Sequence, residues 1–172
     1  MEKVRILGID PSLRNSGLAI VEYDSEKKTL LPIHCQTLVN PQKFTGKDAI
    51  LNMLDMLHEE GQKECYAKVD QVIIESPAVI FNKAWSAGTM ASIAHISGGA
   101  AVCFDLKKVF FFRPNEWNKN RKKEVTHSQT VSLLGDPDKW HFEKRVKAEK
   151  HMEHILDAAS LALFWIKNQF ME

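Results

Sequence analysis

Four side chains far apart along the chain, Asp10, Glu75, His154 and Asp157, have the types and placements that metal-assisted chemistry on phosphate requires. Asp10 closes the apolar run Val4-Arg5-Ile6-Leu7-Gly8-Ile9, and Glu75 closes a second run, Val72-Ile73-Ile74. His154 and Asp157 stand at i and i+3 at the start of the last helical segment, beside an apolar stripe of Ile155, Ala159, Ala162, Leu163 and Ile166. Residues at that spacing are neighbours on a helix surface, so imidazole and carboxylate share one side. Ligands of open α/β sheets gather beyond the carboxyl ends of the strands, which is where Asp10 and Glu75 fall. Three carboxylates gathered at one point repel one another unless cations lie between them, which predicts a divalent metal site. Carboxylate oxygens favour Mg2+ or Mn2+, and an imidazole tilts the set toward Mn2+. Two such ions, bridged by a carboxylate such as Asp10, would activate a water and stabilise the leaving oxygen of a phosphodiester.

Each residue alone has a plainer reading. Asp10-Pro11-Ser12 is good turn chemistry, and Asp157 suits the positive end of a helix dipole. His154 alone reads as a surface or core-edge histidine. Glu75 resists this treatment, because a glutamate finishing a run of Val and Ile is buried at a cost unless it is paired or metal-bound. Together the four favour a site.

The elements that must position them follow from hydrophobic period and turn residues. Val4–Asp10 and Gly17–Tyr23 read as strands joined by the turn-forming Pro11–Ser16, with a third strand expected within Thr29–Val39. Ile50, Leu51, Met53, Leu54 and Leu57 recur at helical spacing up to Gly61. A buried strand is expected over Val69–Glu75, a small-residue helix over Ala84–Phe104, a last strand over Val109–Arg113 and a helix over Glu124–Leu134; residues 135–150 read as a loop or an interrupted helix. This order predicts an α/β fold with a mixed five-stranded sheet, its first three strands antiparallel, covered by helices on both faces. A chain of 172 residues suits one domain, 1–172.

The net charge of +1 conceals a segregated distribution. Residues 1–106 carry 10 Lys and Arg against 13 Asp and Glu, residues 107–150 carry 12 against 6, and residues 151–172 carry 1 against 3. That arrangement suits an acidic centre beside a basic strip for a polyanion, although a basic run is also an ordinary solvated face. The strip's densest part is Trp117-Asn118-Lys119-Asn120-Arg121-Lys122-Lys123, with an aromatic residue among four cations, a composition suited to gripping a phosphate backbone. Lys144, Arg145, Lys147 and Lys150 add further positive charge, and Arg14 in the first hairpin either touches that polyanion or faces solvent. Cys35, Cys65 and Cys103 form no CxxC pair and are odd in number, which predicts reduced thiols rather than disulfides or zinc. With no bilayer-length apolar stretch and no leader pattern, the expectation is a soluble cytoplasmic protein without a membrane partner.

The segments Ile6-Leu7-Gly8-Ile9-Asp10-Pro11-Ser12, Val72-Ile73-Ile74-Glu75-Ser76 and His154-Ile155-Leu156-Asp157-Ala158-Ala159 resemble the signature regions of the RuvC family of Holliday junction resolvases. The match runs in order over most of the chain, with a looser middle region, as in a divergent and perhaps phage-type member. The resemblance implies a ribonuclease H-like fold and metal-binding, catalytic roles for Asp10, Glu75, His154 and Asp157. It implies that Lys119, with Lys122 or Lys123, reaches the scissile phosphate, and that Phe81 stacks on a base at the junction centre. It also implies a homodimer acting on branched, four-way DNA, with an interface on the helix that holds Gly88, Ala91, Ala94, Gly98 and Gly99. His151, one turn before His154, would at most support a ligand.

Other readings compete. An actin-like or sugar-kinase ATPase also follows its first strand with Gly-Ile-Asp and a hairpin, but such enzymes need two such domains. A flap-cutting or less selective nuclease of the same fold would keep every metal ligand. A noncatalytic DNA-binding module would have no reason to retain a costly strand-end glutamate.

Overall fold

A computed structural model of the chain describes residues 3–77, 87–104, 108–119, 121–141 and 149–171, the side chains of 149 and 150 excepted. Five strands form one sheet: β1 (Lys3–Asp10), β2 (Asn15–Asp24), β3 (Thr29–Val39), β4 (Gln71–Glu75) and β5 (Val109–Phe112). Their order is β3-β2-β1-β4-β5, antiparallel from β3 to β1 and parallel from β1 to β5. Short polar turns join the first three strands, while the parallel strands require crossovers, and helices supply these.

The helices are α1 (Gly46–Gly61), α2 (Glu64–Ala67), α3 (Ala87–Cys103), α4 (Pro114–Trp117), α5 (Lys123–Leu134) and α6 (Glu149–Phe170). The expected strands and main helices are present; the four-residue helices α2 and α4 are too short to leave a periodic signal. In the segment 135–150, Pro137–Lys139 forms a short 3-10 turn, and residues 142–148 lie outside the described residues.

Alternation along the strands divides the core in two. On one face Ile6, Ala19, Val21 and Ile73 meet α6 through Ile155, Ala158, Ala159, Ala162 and Ile166. On the other, Leu7, Ile9, Leu18, Ile20, Val72 and Ile74 meet Met53 and Leu57 of α1 and Ile96 and Ala100 of α3. Because β1 and β4 are covered on both faces, Ile6-Leu7-Gly8-Ile9 and Val72-Ile73-Ile74 read as unbroken apolar runs. Each fully buried Ile or Leu contributes about 1.5–3 kcal/mol. Leu51, grouped with the apolar positions of α1 by its spacing, is instead 47% exposed.

Two glycines set how closely α6 lies on the sheet. A Cβ built on Gly8 would sit 1.9 Å from the Ala158 carbonyl oxygen, and one on Gly17 would sit 2.1 Å from that of His154. The helix backbone therefore rests directly on β1 and β2. The β1–β2 loop closes on itself: Ser12 N donates to Ser16 Oγ (3.0 Å), which donates back to the Ser12 carbonyl (2.9 Å). Arg14 is turned to the neighbouring loop, where its Nη1 donates to the carbonyls of Phe44 (2.8 Å) and Pro41 (3.2 Å).

The outer strand β3 is irregular. Its register shifts opposite Ile20 and Val21, which pair with His34 and Pro32 and leave Ile33 as the extra residue of a bulge. Beyond the bulge, Cys35 N donates to the His141 carbonyl at 3.0 Å. His34 packs edge-on against Tyr66 and lies 3.5 Å from buried Glu60. Glu60 also accepts from Tyr66 Oη (2.9 Å) and Lys63 Nζ (2.6 Å). Burial opposes its charge, but the hydrogen bonds from His34, Lys63 and Tyr66 prevail and hold the carboxyl at about 2.

Gly17→Ala should push α6 off the sheet and lower stability by roughly 3 kcal/mol or more; a denaturation midpoint equal to the parent's would contradict this contact. Glu60 has a depressed folded-state value, so its contribution is complete above pH 4.5 and is lost as pH falls toward 2, on the order of 3 kcal/mol in all. Glu60→Gln should therefore melt well below the parent at pH 7 and approach it near pH 2, as followed by circular dichroism.

Candidate active site

The last residues of β1 and β4 are Asp10 and Glu75, and parallel pairing aligns Ile9 with Ile74. Both carboxylates therefore leave the sheet at the same edge. Ser97 Oγ of α3 donates to the Glu75 carbonyl (3.3 Å), and Ser76 N donates to the Phe112 carbonyl (2.8 Å), which fixes the end of β4. From the opposite side, the close seating of α6 brings in His154 and Asp157. All four line one cavity with Pro11, Ser12, Pro77, Pro114, Trp117, Asn118, Arg121, Lys123 and Thr126.

Each carboxylate in this cavity has a proton donor. His154 Nδ1 donates to Asp10 Oδ2 at 2.7 Å. Trp117 Nε1 donates to Glu75 Oε2 at 2.9 Å. Asp157 is held at both oxygens, by His127 Nε2 at Oδ1 and Lys123 Nζ at Oδ2, each 2.7 Å away. Among the described residues, no three carboxylate, imidazole or thiol groups form a ready-made ligand cage. The acids share one cavity, each with its own hydrogen-bond donor.

Their electrostatics show how crowded the cavity is. Burial, then the charges of Asp10 and Asp157, push Glu75 up to about 8, against the smaller opposing effect of the Trp117 hydrogen bond. Burial also raises Asp10, with the charge of Asp157 adding to it, despite the His154 hydrogen bond. For His154 and Lys123 burial favours the neutral form, but bonding to Asp10 and Asp157 respectively prevails and keeps both basic. Carboxylates that raise one another are short of positive charge. This shortage, and a donor set of three carboxylates and one imidazole, fit Mg2+ or Mn2+.

The expected site residues divide. Asp10, Glu75, His154 and Asp157 meet, and Lys123 joins them as an ion-pair partner. Arg121 lies on the rim and donates through Nη1 to Gln129 Oε1 (2.9 Å). Lys119, with a positive φ of 53° after α4, lines an adjoining cleft between α5 and α6 rather than the acidic cavity. Lys122 precedes α5 and is exposed, while Arg14 is engaged with the 41–44 loop. Phe81 lies outside the described residues, as do Lys144, Arg145 and Lys147. His151 offers its backbone carbonyl to Thr37 Oγ1 at 3.0 Å.

Two partners escaped the sequence reading. Trp117, grouped there with the phosphate-gripping strip, is buried: Pro114 starts α4, Arg113 N donates to Glu116 Oε2 (2.6 Å), and this single turn directs the indole N–H at Glu75. His127 carries no motif of its own. Its one legible feature is its position one turn after Lys123 on α5.

No protein-family model and no curated protein matches the chain by sequence. Solved structures match by shape. The chain is similar to Thermus thermophilus RuvC in complex with Holliday junction substrate, with a TM-score of 0.68, 14% identity, and coverage of 97% of this chain and 98% of that one. It is similar to the yeast mitochondrial Holliday junction resolvase Ydc2 at a TM-score of 0.60 and 13% identity, covering 95% and 79%. For the fowlpox virus resolvase with substrate Holliday junction DNA the values are 0.57 and 16%, covering 96% and 98%.

In metal-free protein the raised Glu75 makes the folded state bind more protons than the unfolded one between pH 4.5 and about 8, so stability falls as pH rises through that window. Glu75→Gln should remove this dependence and melt above the parent at pH 8.5 in EDTA; a lower melting temperature there would contradict the crowding. By its strand order, its element order and these likenesses, the chain has the ribonuclease H-like fold of the RuvC-type resolvases.

Proposed function

We propose that the chain is a metal-dependent, structure-selective endodeoxyribonuclease that nicks four-way DNA junctions. The observation that supports this reading is the meeting of Asp10, Glu75, His154 and Asp157 in one cavity at the carboxyl edge of the sheet. Structures of this fold include proteins solved with Holliday junction DNA, which favours the junction as substrate. Divalent ions, two Mg2+ or Mn2+ per site, held by those four residues would activate a water and offset charge on the scissile phosphodiester.

The chain's own residues have separate tasks. Asp10 and Glu75, anchored on adjacent strands, give the site its fixed side, while His154 and Asp157 bring the opposing donors on a helix that cannot slide without displacing Gly8 and Gly17. Trp117 and the three prolines wall the cavity and keep its acids desolvated, so charges there act more strongly than in water. Lys123, ion-paired with Asp157 at 2.7 Å, stabilises charge that develops on the phosphate. Arg121, Lys119 and Lys122 extend positive potential outward along the incoming strand, and Phe81 is the candidate for base stacking.

Symmetric nicking of a junction requires two such sites. We assign a homodimer, formed through the outward side of α3, where Ala91, Ala94, Gly98 and Val102 are exposed, Val102 by 72%. Its inner side is occupied within the chain, since a Cβ on Gly99 would meet Leu54 of α1 at 2.2 Å. No helix among the described residues is long and apolar enough to cross a membrane.

The deciding experiment incubates purified protein with a four-way junction, a flap and a linear duplex, each with Mg2+, Mn2+ or EDTA. Paired nicks in the junction, dependent on metal, are expected; cutting of flaps with the junction untouched would replace the junction reading by a flap nuclease. Asp10→Asn, Glu75→Gln and Asp157→Asn should each reduce nicking by at least about 1000-fold, on the order of the transition-state charge stabilisation they provide, with junction binding retained. Wild-type cleavage by all three would refute the catalytic assignment.

A further inference from the structure

Helices α5 and α6 meet through a ladder of polar groups. Positions 123, 127 and 130 of α5 face 153, 157 and 160 of α6, and the rungs run at one-turn intervals. Lys123 reaches Asp157 Oδ2 (2.7 Å) and Glu153 Oε2 (3.4 Å), His127 reaches Asp157 Oδ1 (2.7 Å), and the Thr130 and Ser160 hydroxyls meet at 2.6 Å in a buried pair. Of the apolar residues of α5, Val125 is 45% exposed, and Leu133, 38% exposed, lines the cleft beside this ladder. One carboxylate of the candidate site thus takes two of the three rungs.

The two cation-capable partners of Asp157 differ in kind. Lys123 is a compact charge on a flexible four-carbon stem, free to leave Oδ2 when another cation approaches. His127 is a rigid ring only 15% exposed, and the Thr130–Ser160 pair one turn on pins the helix that carries it. Its N–H has one direction to point, toward Oδ1. A ligating carboxylate whose second oxygen is held by a fixed donor keeps its orientation whether or not the metal is bound.

We propose that His127 is a positioning residue for the metal site: its Nε2–H fixes Asp157 through Oδ1 and leaves Oδ2, shared in this structure with Lys123, as the oxygen presented to a divalent ion. The inference rests on the metal-site reading above and assigns the orienting task to a residue outside the four ligands.

The test measures Mn2+ binding to the free protein by electron paramagnetic resonance, with melting temperature in EDTA and junction binding in EDTA alongside. His127→Ala and His127→Phe, the latter retaining a ring without the donor, should weaken Mn2+ binding about tenfold or more. His127→Gln, which can place an amide N–H at Oδ1, should stay within about threefold of the parent. Junction binding in EDTA should be unchanged in all three. Parent-like Mn2+ affinity in His127→Ala and His127→Phe, with affinity lost in Asp157→Asn, would overturn the positioning role alone. So would a His127→Gln variant as weak as His127→Ala. Parent-like affinity in Asp157→Asn would instead remove the metal-site reading, and the proposal with it.

Discussion

The contact on which the rest depends is that of the α6 backbone with two glycines. Gly8 and Gly17 stand where any side chain would collide with the carbonyls of Ala158 and His154. Their absence of a Cβ lets the helix approach to a distance at which its own side chains reach past the sheet edge. Had α6 been held off by one methyl layer, Ile155, Ala159 and Ala162 would still bury apolar surface, but His154 could not come within 2.7 Å of Asp10. Packing and chemistry are therefore set by the same two positions.

That approach has an electrostatic cost, and the surrounding residues are arranged to offset it. Three carboxylates share a cavity, and two of them are raised above their ordinary range. The donors that compensate come from different parts of the chain: an imidazole on α6, an indole on α4, an ammonium and a second imidazole on α5. Removing the imidazole from Asp10 or the indole from Glu75 leaves an acid both buried and without that donor, which is more costly than never having buried it. A site whose acids are each held by a donor from the chain itself keeps its shape.

What was legible in the sequence and what was not follow from the range over which each signal acts. Asp10 and Glu75 end apolar runs, so strand period and polarity reveal them locally, and His154 with Asp157 follows from helical spacing. The succession of five strands and their intervening helices is readable for the same reason, because turn residues separate runs of distinct period. The pairing of His127 with Asp157 spans 30 residues and depends on how α5 crosses α6, which no local pattern encodes. Trp117 differs from its composition for a related reason: its sequence neighbours are cations, but the single turn started by Pro114 buries the ring and directs its indole N–H to Glu75. Lys119 shares their composition and faces a different cleft, since the backbone reverses through a left-handed conformation at that residue.

The irregularity of β3 bears on how copies of the chain can come together. An open sheet margin offers unpaired backbone groups to any extended peptide, including another margin like itself. Here Pro32 offers no N–H, the bulge at Ile33 breaks the regular spacing, and the His141 carbonyl already takes the N–H of Cys35. Strand-to-strand fusion along that border is thereby discouraged. A contact between copies on that side of the sheet would have to use side-chain surfaces, whose geometry can close after two copies instead of propagating into a fibre.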